Sequence, residues 1–285
     1  MSDHILAAYG HEEGAFYFHH VRRTEPFERV KHYHSTYELY YLISGKRTYF
    51  IKDRSYRIEG GDLVLIDKYD VHKSTVLGEA AHERVVINFS DDFLGAGAPL
   101  HPERLVAQFR GEVNVLRLRE PEQRFVLELL GKLGREASQR SHGYETYLRL
   151  LLLELLLFSS RQRGREEAAE PAPAGAVHAK IADIVRHING CYRDNLTLSS
   201  VAAAFFMSPS YLSRTFKTVT GFTLTGYVHL TRVKEAQRLL RDTDDKISDI
   251  AAAVGFEHIG HFERIFKTVA QSTPQAFRKA YRQSG

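Results

Sequence analysis

The stretch LTLSSVAAAFFMSPSYLSRTFKTVTGFT, residues 196–223, recurs as KISDIAAAVGFEHIGHFERIFKTVAQSTP, residues 246–274. Phe216-Lys217-Thr218-Val219 returns as Phe266-Lys267-Thr268-Val269. Upstream, Val201-Ala202-Ala203-Ala204 answers to Ile250-Ala251-Ala252-Ala253, with one extra residue in the second copy's turn. A repeat of this kind marks one supersecondary unit used twice. Thr197 is placed to cap a first helix, and the small side chains of Ala202, Ala203 and Ala204 let a second helix approach closely. Ser208-Pro209 then restarts the chain as N-cap and first helical residue. In the second helix Leu212 and Phe216, four apart, face inward, while Ser210, Ser213, Arg214 and Lys217 keep the opposite face polar and basic. In the second copy Phe262 and Phe266 face inward, and Ile259, Gly260, His261 and Arg264 face out. Helix, tight turn, helix with a basic outer face is the helix-turn-helix pattern, whose second helix enters a DNA major groove. Two hairpins that merely pack together would leave the basic faces unexplained.

Charge supports this reading. The 285 residues carry a formal charge of +4. From His178 onward there are 15 Lys and Arg against 9 Asp and Glu, a surplus of six, which leaves residues 1–177 at −2. A basic half joined to a slightly acidic one suggests a polyanion-binding module fused to something else.

With the motifs in place, residues 178–285 resemble the DNA-binding domain of the AraC/XylS family of transcription regulators. The family pattern I-x-x-I-A-x-x-x-G-F, F-x-R-x-F-K and T-P-x-x-[YF]-R is met by Ile247, Ile250, Ala251, Gly255, Phe256, Phe262, Arg264, Phe266, Lys267, Thr273, Pro274, Phe277 and Arg278. Gly260-His261 stands where Ser-Tyr is usual, and Gln271 where Gly is common. The resemblance implies that both second helices enter successive major-groove segments of double-stranded operator DNA. Arg214 and Arg264 are the expected base readers, since a guanidinium bonds guanine O6 and N7 together. Ser210, Ser213, Ile259 and His261 would tune the preference, and Lys217 and Lys267 would touch phosphate.

The first half has a different texture. Residues 14–90 hold short alternating runs such as Glu38–Ile43, Arg47–Ile51 and Asp62–Ile66, separated by Ser44-Gly45-Lys46, Lys52-Asp53 and Glu59-Gly60-Gly61. Such aromatic and β-branched runs predict an antiparallel sheet or small barrel. Residues 101–160 turn helical, with Leu148, Leu151, Leu152, Leu155 and Leu156 forming an apolar stripe. Nearly every position from Leu150 to Phe158 is apolar, so this helix is expected to be buried all round, in part by a partner subunit.

His32-x-His34-x-x-x-Glu38 followed by Gly45 resembles the first motif of the cupin barrels. Gly61 and His72 keep part of the second, while Asp67 and Tyr69 stand at its usual Pro and Gly positions. Two readings stay open. His32, His34 and Glu38, with His72 from another strand, form a donor set for Zn, Ni, Mn or Fe. Alternatively, as in sensor barrels of AraC-type regulators, the same residues line a metal-free pocket. His32, His34, Glu38, Tyr40, Arg47, Tyr49 and His72 would then hold a polar effector such as a sugar or organic acid, with Tyr33 nearby.

The expected fold class is multidomain: an N-terminal all-β cupin-like (jelly-roll) barrel with flanking dimerisation helices, and a C-terminal all-α domain with two helix-turn-helix units. The expected boundaries are residues 1–100 for the barrel, 101–160 for the helical dimerisation segment, 161–177 for a charged, Ala/Pro-rich linker and 178–285 for the DNA-binding domain. Within the last, the two units fall at about 197–217 and 247–268, with a connecting helix at about 227–241. The function this implies is a ligand-responsive, sequence-specific DNA-binding transcription regulator, not an enzyme and without a required cofactor. Its expected partners are DNA, a small-molecule effector, a second copy of the chain and RNA polymerase. The alternative is a metal-dependent cupin enzyme with a helical accessory domain, but no nucleophile or second acid–base pair accompanies the histidines. The N-terminus lacks a basic start and apolar core, and the run at Leu150–Phe158 is too short for a bilayer, which takes roughly 20 residues. With one cysteine, Cys191, the sequence fits a reducing, cytoplasmic setting.

Overall fold

A computed structural model describes residues 4–12, 14–25, 33–95, 102–111, 114–163 and 176–282. The chain divides into two compact units, Met1–Pro173 and Ala174–Gly285. Each is described by itself.

The first unit contains β1 (His4–Gly10), β2 (Phe16–Arg23), β3 (Tyr37–Ser44), β4 (Lys46–Ile51), β5 (Arg54–Glu59), β6 (Asp62–Ile66), β7 (His72–Val76) and β8 (His82–Phe89). These are followed by α1 (Asp91–Leu94), α2 (Pro102–Val106), a 3-10 turn, β9 (Val115–Arg117), α3 (Glu120–Gln139) and α4 (Tyr144–Arg163). The strands form a six-stranded sheet, β1-β2-β8-β3-β6-β9, and a three-stranded sheet, β5-β4-β7. Pairing is antiparallel throughout. Period-two alternation splits the strand residues into two cores. Leu39, Tyr41, Val85, Ile87 and Phe89 turn toward α3 and α4. Tyr40, Leu42, Tyr49, Ile51, Val64, Ile66 and Val86 form a second buried cluster and line the space between the sheets. The predicted turns hold: Gly45 has φ +97, and a Cβ there would lie 2.7 Å from the Ala81 carbonyl oxygen, so only glycine fits.

Two features differ from the sequence reading. β9 interrupts the stretch read as helical and joins the edge of the larger sheet through Leu63–Leu116 pairing. The second concerns α4, which is not buried all round. Its Leu148, Leu151, Leu152, Leu155 and Leu156 are buried, but Leu150 is 54% exposed and Tyr147 and Leu157 are exposed too. α3 and the larger sheet cover one side of the helix, and among the described residues Tyr147, Leu150 and Leu157 are left exposed on another. α4 also runs to Arg163, into the stretch read as linker, whose residues 164–175 lie outside the described ones.

The second unit is helical: α5 (Ala176–Cys191), α6 (Leu198–Ala204), α7 (Pro209–Thr220), α8 (Leu224–Asp242), α9 (Ile247–Ala253), α10 (Ile259–Ala270) and α11 (Pro274–Arg282). The caps match the sequence. Thr197 and Ser200 form a reciprocal capping box, and the Ser208 hydroxyl accepts from Tyr211 N ahead of Pro209. Of the three alanines in each copy only Ala202 and Ala251 are buried, so one small residue per copy, not three, admits the neighbouring helix. The predicted extra residue is present, with four residues between α6 and α7 and five between α9 and α10.

The turn needs left-handed backbone in both copies. Gly255 supplies it at φ +95, and a Cβ there would sit 2.6 Å from the Arg193 carbonyl oxygen. Phe206 holds φ 54 in the first copy while 95% exposed. Left-handed backbone costs a non-glycine roughly 1–2 kcal/mol, and glycine loses roughly 0.5–1 kcal/mol more entropy on folding. The strain is the larger effect and the exposed ring contributes little packing. Phe206→Gly is therefore expected to stabilise this unit by about 0.5–1 kcal/mol, read as a higher urea midpoint at unchanged slope.

Candidate DNA interface and effector pocket

α7 and α10 occupy equivalent places in the repeat, each second in its pair and each packed on α8. Leu212, Phe216, Phe262 and Phe266 are fully buried beneath them. The residues expected to meet DNA, Ser210, Ser213, Arg214, Lys217, Ile259, His261, Arg264 and Lys267, are all exposed. Sequence spacing thus placed both outer faces correctly, because an i, i+4 aromatic or leucine pair fixes which side of a helix is covered.

Not every cation counted toward DNA is available to it. Arg232 on α8 is buried; its Nε donates to Tyr192 O and its Nη2 to Asp194 O, both at 2.7 Å, and its guanidinium lies 5.4 Å from the Phe256 ring centroid. It ties the end of α5 to α8. Arg278 Nη2 likewise donates to Asp245 O at 2.6 Å. Charge counting had no means of separating these from the surface arginines. Beside the first turn of α10, His229 is pressed down to about pKa 4, first by burial and then by His261, Arg232 and Arg264, so it is neutral at neutral pH. The departure Gly260-His261 leaves the start of α10 open on one side and adds an imidazole 5.4 Å from His229, ring centre to ring centre.

In the first unit four of the predicted pocket residues, His34, Glu38, Tyr49 and His72, come together. His32 lies outside the described residues. His34, just ahead of β3, donates from Nδ1 to Thr36 O at 2.8 Å and turns Nε2 toward Glu38 Oε2 at 3.1 Å. His72 donates from Nδ1 to Asp70 O at 2.7 Å, with Nε2 3.8 Å from the same carboxylate oxygen. Tyr49 Oη donates to Glu38 Oε1 at 2.9 Å. Burial opposes charge on His34, but the hydrogen bond and charge of Glu38 outweigh it and raise its pKa. Burial, with Glu38, holds Tyr49 well above its usual range, so its hydroxyl stays a donor.

The potential ligand atoms of His34, Glu38 and His72 lie within 4.8 Å of one another, all buried. Two imidazoles and a carboxylate suit a divalent transition metal, and the backbone carbonyls that fix both rings are the outer support such ligands need. Sequence reasoning missed Asn88, whose Nδ2 lies 3.1 Å from His34 Nε2 and 3.3 Å from Glu38 Oε2. It pairs with Glu38 across β3 and β8. Tyr40 packs edge-on to Tyr49 with ring centres 5.1 Å apart, and Arg47 lies toward the opposite end of the strands from His34. Tyr69, at the cupin glycine position, takes the glycine-like φ of 61.

Residues 13–156 match the model of the AraC-like ligand-binding domain, and residues 201–280 match a helix-turn-helix domain. This chain belongs to the AraC family of transcription regulators. The transcriptional activator RhaR of Yersinia pseudotuberculosis is 26% identical over 261 residues, 88% of this chain and 85% of the relative. An uncharacterised helix-turn-helix regulator of Bacillus subtilis, YfiF, is 26% identical over 275 residues, 95% of this chain and 85% of the relative. Among solved structures, ToxT of Vibrio cholerae shares 15% identity at a TM-score of 0.37, over 93% of this chain and 97% of that one. The C-terminal domain of the response regulator yesN from Fusobacterium nucleatum shares 35% identity at a TM-score of 0.33, over 33% of this chain and 93% of that one. The AraC-family chain is thus a transcription regulator with an N-terminal ligand-binding domain and a C-terminal DNA-binding domain, and the enzyme alternative falls. Among the described residues no helix is long and apolar enough to cross a membrane.

Proposed function

We propose that this regulator reads an operator with α7 and α10 together, and that a polar effector held between the two sheets biases that binding. The observation that carries the reading is the repeated outward face, Ser210, Ser213, Arg214 and Lys217 on α7 and Ile259, His261, Arg264 and Lys267 on α10. Arg214 and Arg264 read base edges; the two lysines contact phosphate. The effector, a sugar or organic acid, meets His34, Glu38, Tyr40, Arg47, Tyr49 and His72. Two chains pair through the exposed face of α4 at Tyr147, Leu150 and Leu157, which recur at helical spacing on one side. RNA polymerase is the further partner, and the cytoplasm is where a DNA-bound regulator of this kind works.

Measured operator affinity should fall linearly with the logarithm of salt concentration, by about 0.9 log units per phosphate contact. Lys217→Ala and Lys267→Ala should each flatten that slope by about one contact without changing which base is preferred. A slope unchanged in both variants contradicts the phosphate role.

A second reading follows from the His34, Glu38 and His72 group, which suits Zn, Ni, Mn or Fe. A bound ion would supply an open coordination position for an effector oxygen. Elemental analysis of chain purified without chelator should then give about one such ion per chain, and His34→Ala should lose it. Metal-free protein that still binds its effector assigns these residues to hydrogen bonding alone.

A further inference from the structure

The space between the sheets holds charge at both ends of its strands, and the ends differ in sign. At one end Glu38 is engaged by Tyr49, His34 and Asn88. At the other, Arg47 on β4 and Arg84 on β8 are 3% and 6% exposed. Arg84 shares its strand face with Val86 and Asn88, and Arg47 shares its face with Tyr49 and Ile51, so both guanidinium groups enter the same inter-sheet space. Arg47 Nε donates to Ser74 Oγ at 3.0 Å, and its Nη1 is buried without an acceptor. Arg84 lies over the Tyr40 ring, 5.5 Å from its centroid, with Nε buried and unmatched. Among the described residues neither guanidinium meets a carboxylate.

A guanidinium withdrawn from water without a counter-charge is strongly destabilising, and leucine or methionine would fill the same space without that penalty. Here burial, and with it the charge of Arg84, holds the Arg47 guanidinium below its usual range. Together with Arg23 the two arginines also act on buried His82, which burial and these cations depress to about pKa 4. His82 is neutral at neutral pH, its Nδ1 donating to Ala80 O at 2.8 Å, so it adds no further positive charge. The unmet donors belong to forks that bind carboxylate or phosphate oxygens in pairs. Tyr40, Leu42 and Val86 form the walls between this end and the Glu38 end.

We infer that the effector is a small organic anion whose carboxylate or phosphate group lies between Arg47 and Arg84, with hydroxyls reaching toward Glu38 and Asn88. This rests on the reading of the inter-sheet space as the effector pocket. It excludes neutral sugars as the preferred ligand.

The test uses the full chain and matched probes at fixed ionic strength: gluconate against sorbitol, galacturonate against galactose, and glucose 6-phosphate against glucose, with sulfate as a minimal anion. The anionic member of a pair should raise the unfolding midpoint of the first unit by several degrees and its neutral counterpart should not. The gluconate and glucose 6-phosphate arms tell carboxylate from phosphate. Arg84→Met and Arg47→Met should erase the anion response, sulfate included. Ligand-free Arg84→Met should unfold at the same or a higher temperature, because an unpaired buried charge has gone; Arg84→Lys, which keeps the charge but not the fork, should retain only part of the response. A sulfate response equal in wild type and Arg84→Met, a neutral sugar that binds better than its acid, or a ligand-free Arg84→Met that is markedly less stable would each overturn the anion site. Anion binding that leaves operator affinity unchanged would keep the site and overturn the effector reading instead.

Discussion

Replacing Arg214 or Arg264 by alanine is expected to cost about 1–3 kcal/mol of specific operator affinity, a loss of roughly 5- to 150-fold for each. Both side chains are exposed on the outer faces of α7 and α10, so the loss should come with an unchanged unfolding midpoint. Each substitution should relax preference at one base position, and the two positions should differ, because the helices occupy separate copies of the repeat. Binding to unrelated DNA should weaken far less, since phosphate contacts carry most of that affinity. The double substitution should bring specific binding close to the non-specific level, because well-separated contacts add. Competition titrations with matched and scrambled duplexes read all of this. A loss of affinity equal for both duplexes would reassign these arginines to phosphate.

Phe266→Ala acts on the other link, from packing to function. Phe266 is 0% exposed and is surrounded by Phe262, Phe277 and the inward residues of α8 and α9. Truncating a buried phenylalanine typically costs about 3–5 kcal/mol, part lost transfer energy and part cavity. That is a large share of the roughly 5–15 kcal/mol available to a whole domain. The second unit should therefore lose cooperative unfolding or drop sharply in denaturant midpoint. DNA binding should fail through loss of the folded state, and part of it should return on cooling or with stabilising osmolyte. Phe266→Leu, which leaves a smaller cavity, should show a milder version of the same pattern. Near-normal stability of Phe266→Ala would mean that α10 is not anchored as described.

The repeat was legible because its signals are local. Caps at Thr197 and Ser208, a proline at the first helical position and aromatic pairs four apart each act within a turn or two of chain. The central strands were legible for a similar reason, since β3, β4 and β6 carry β-branched and aromatic residues between turn formers. β1 was not, because HILAAYG is a largely exposed edge strand with no buried alternate face to write a pattern. β9 is three residues long and leaves almost no periodic signal. On β8 the polar positions Arg84 and Asn88 hid inside a strand covered on both faces, where apolar residues run on without alternation. Their importance comes from what β3, β4 and β7 bring opposite them, which is a property of register and not of spacing. The left-handed position at Phe206 was silent, since phenylalanine does not advertise that backbone, whereas Gln271 stands where the family pattern has Gly. Gln271 matches Gly221, the left-handed cap that ends α7 in the first copy.

The most direct test of the whole account is selection of DNA from a random pool by the full chain, followed by sequencing. Two recognition helices on one face of the duplex predict an enriched site made of two short motifs about 10–10.5 base pairs apart, centre to centre. Arg214→Ala should degrade one motif and Arg264→Ala the other. A single motif that both substitutions degrade alike, or no enrichment at all, would contradict the paired-helix reading.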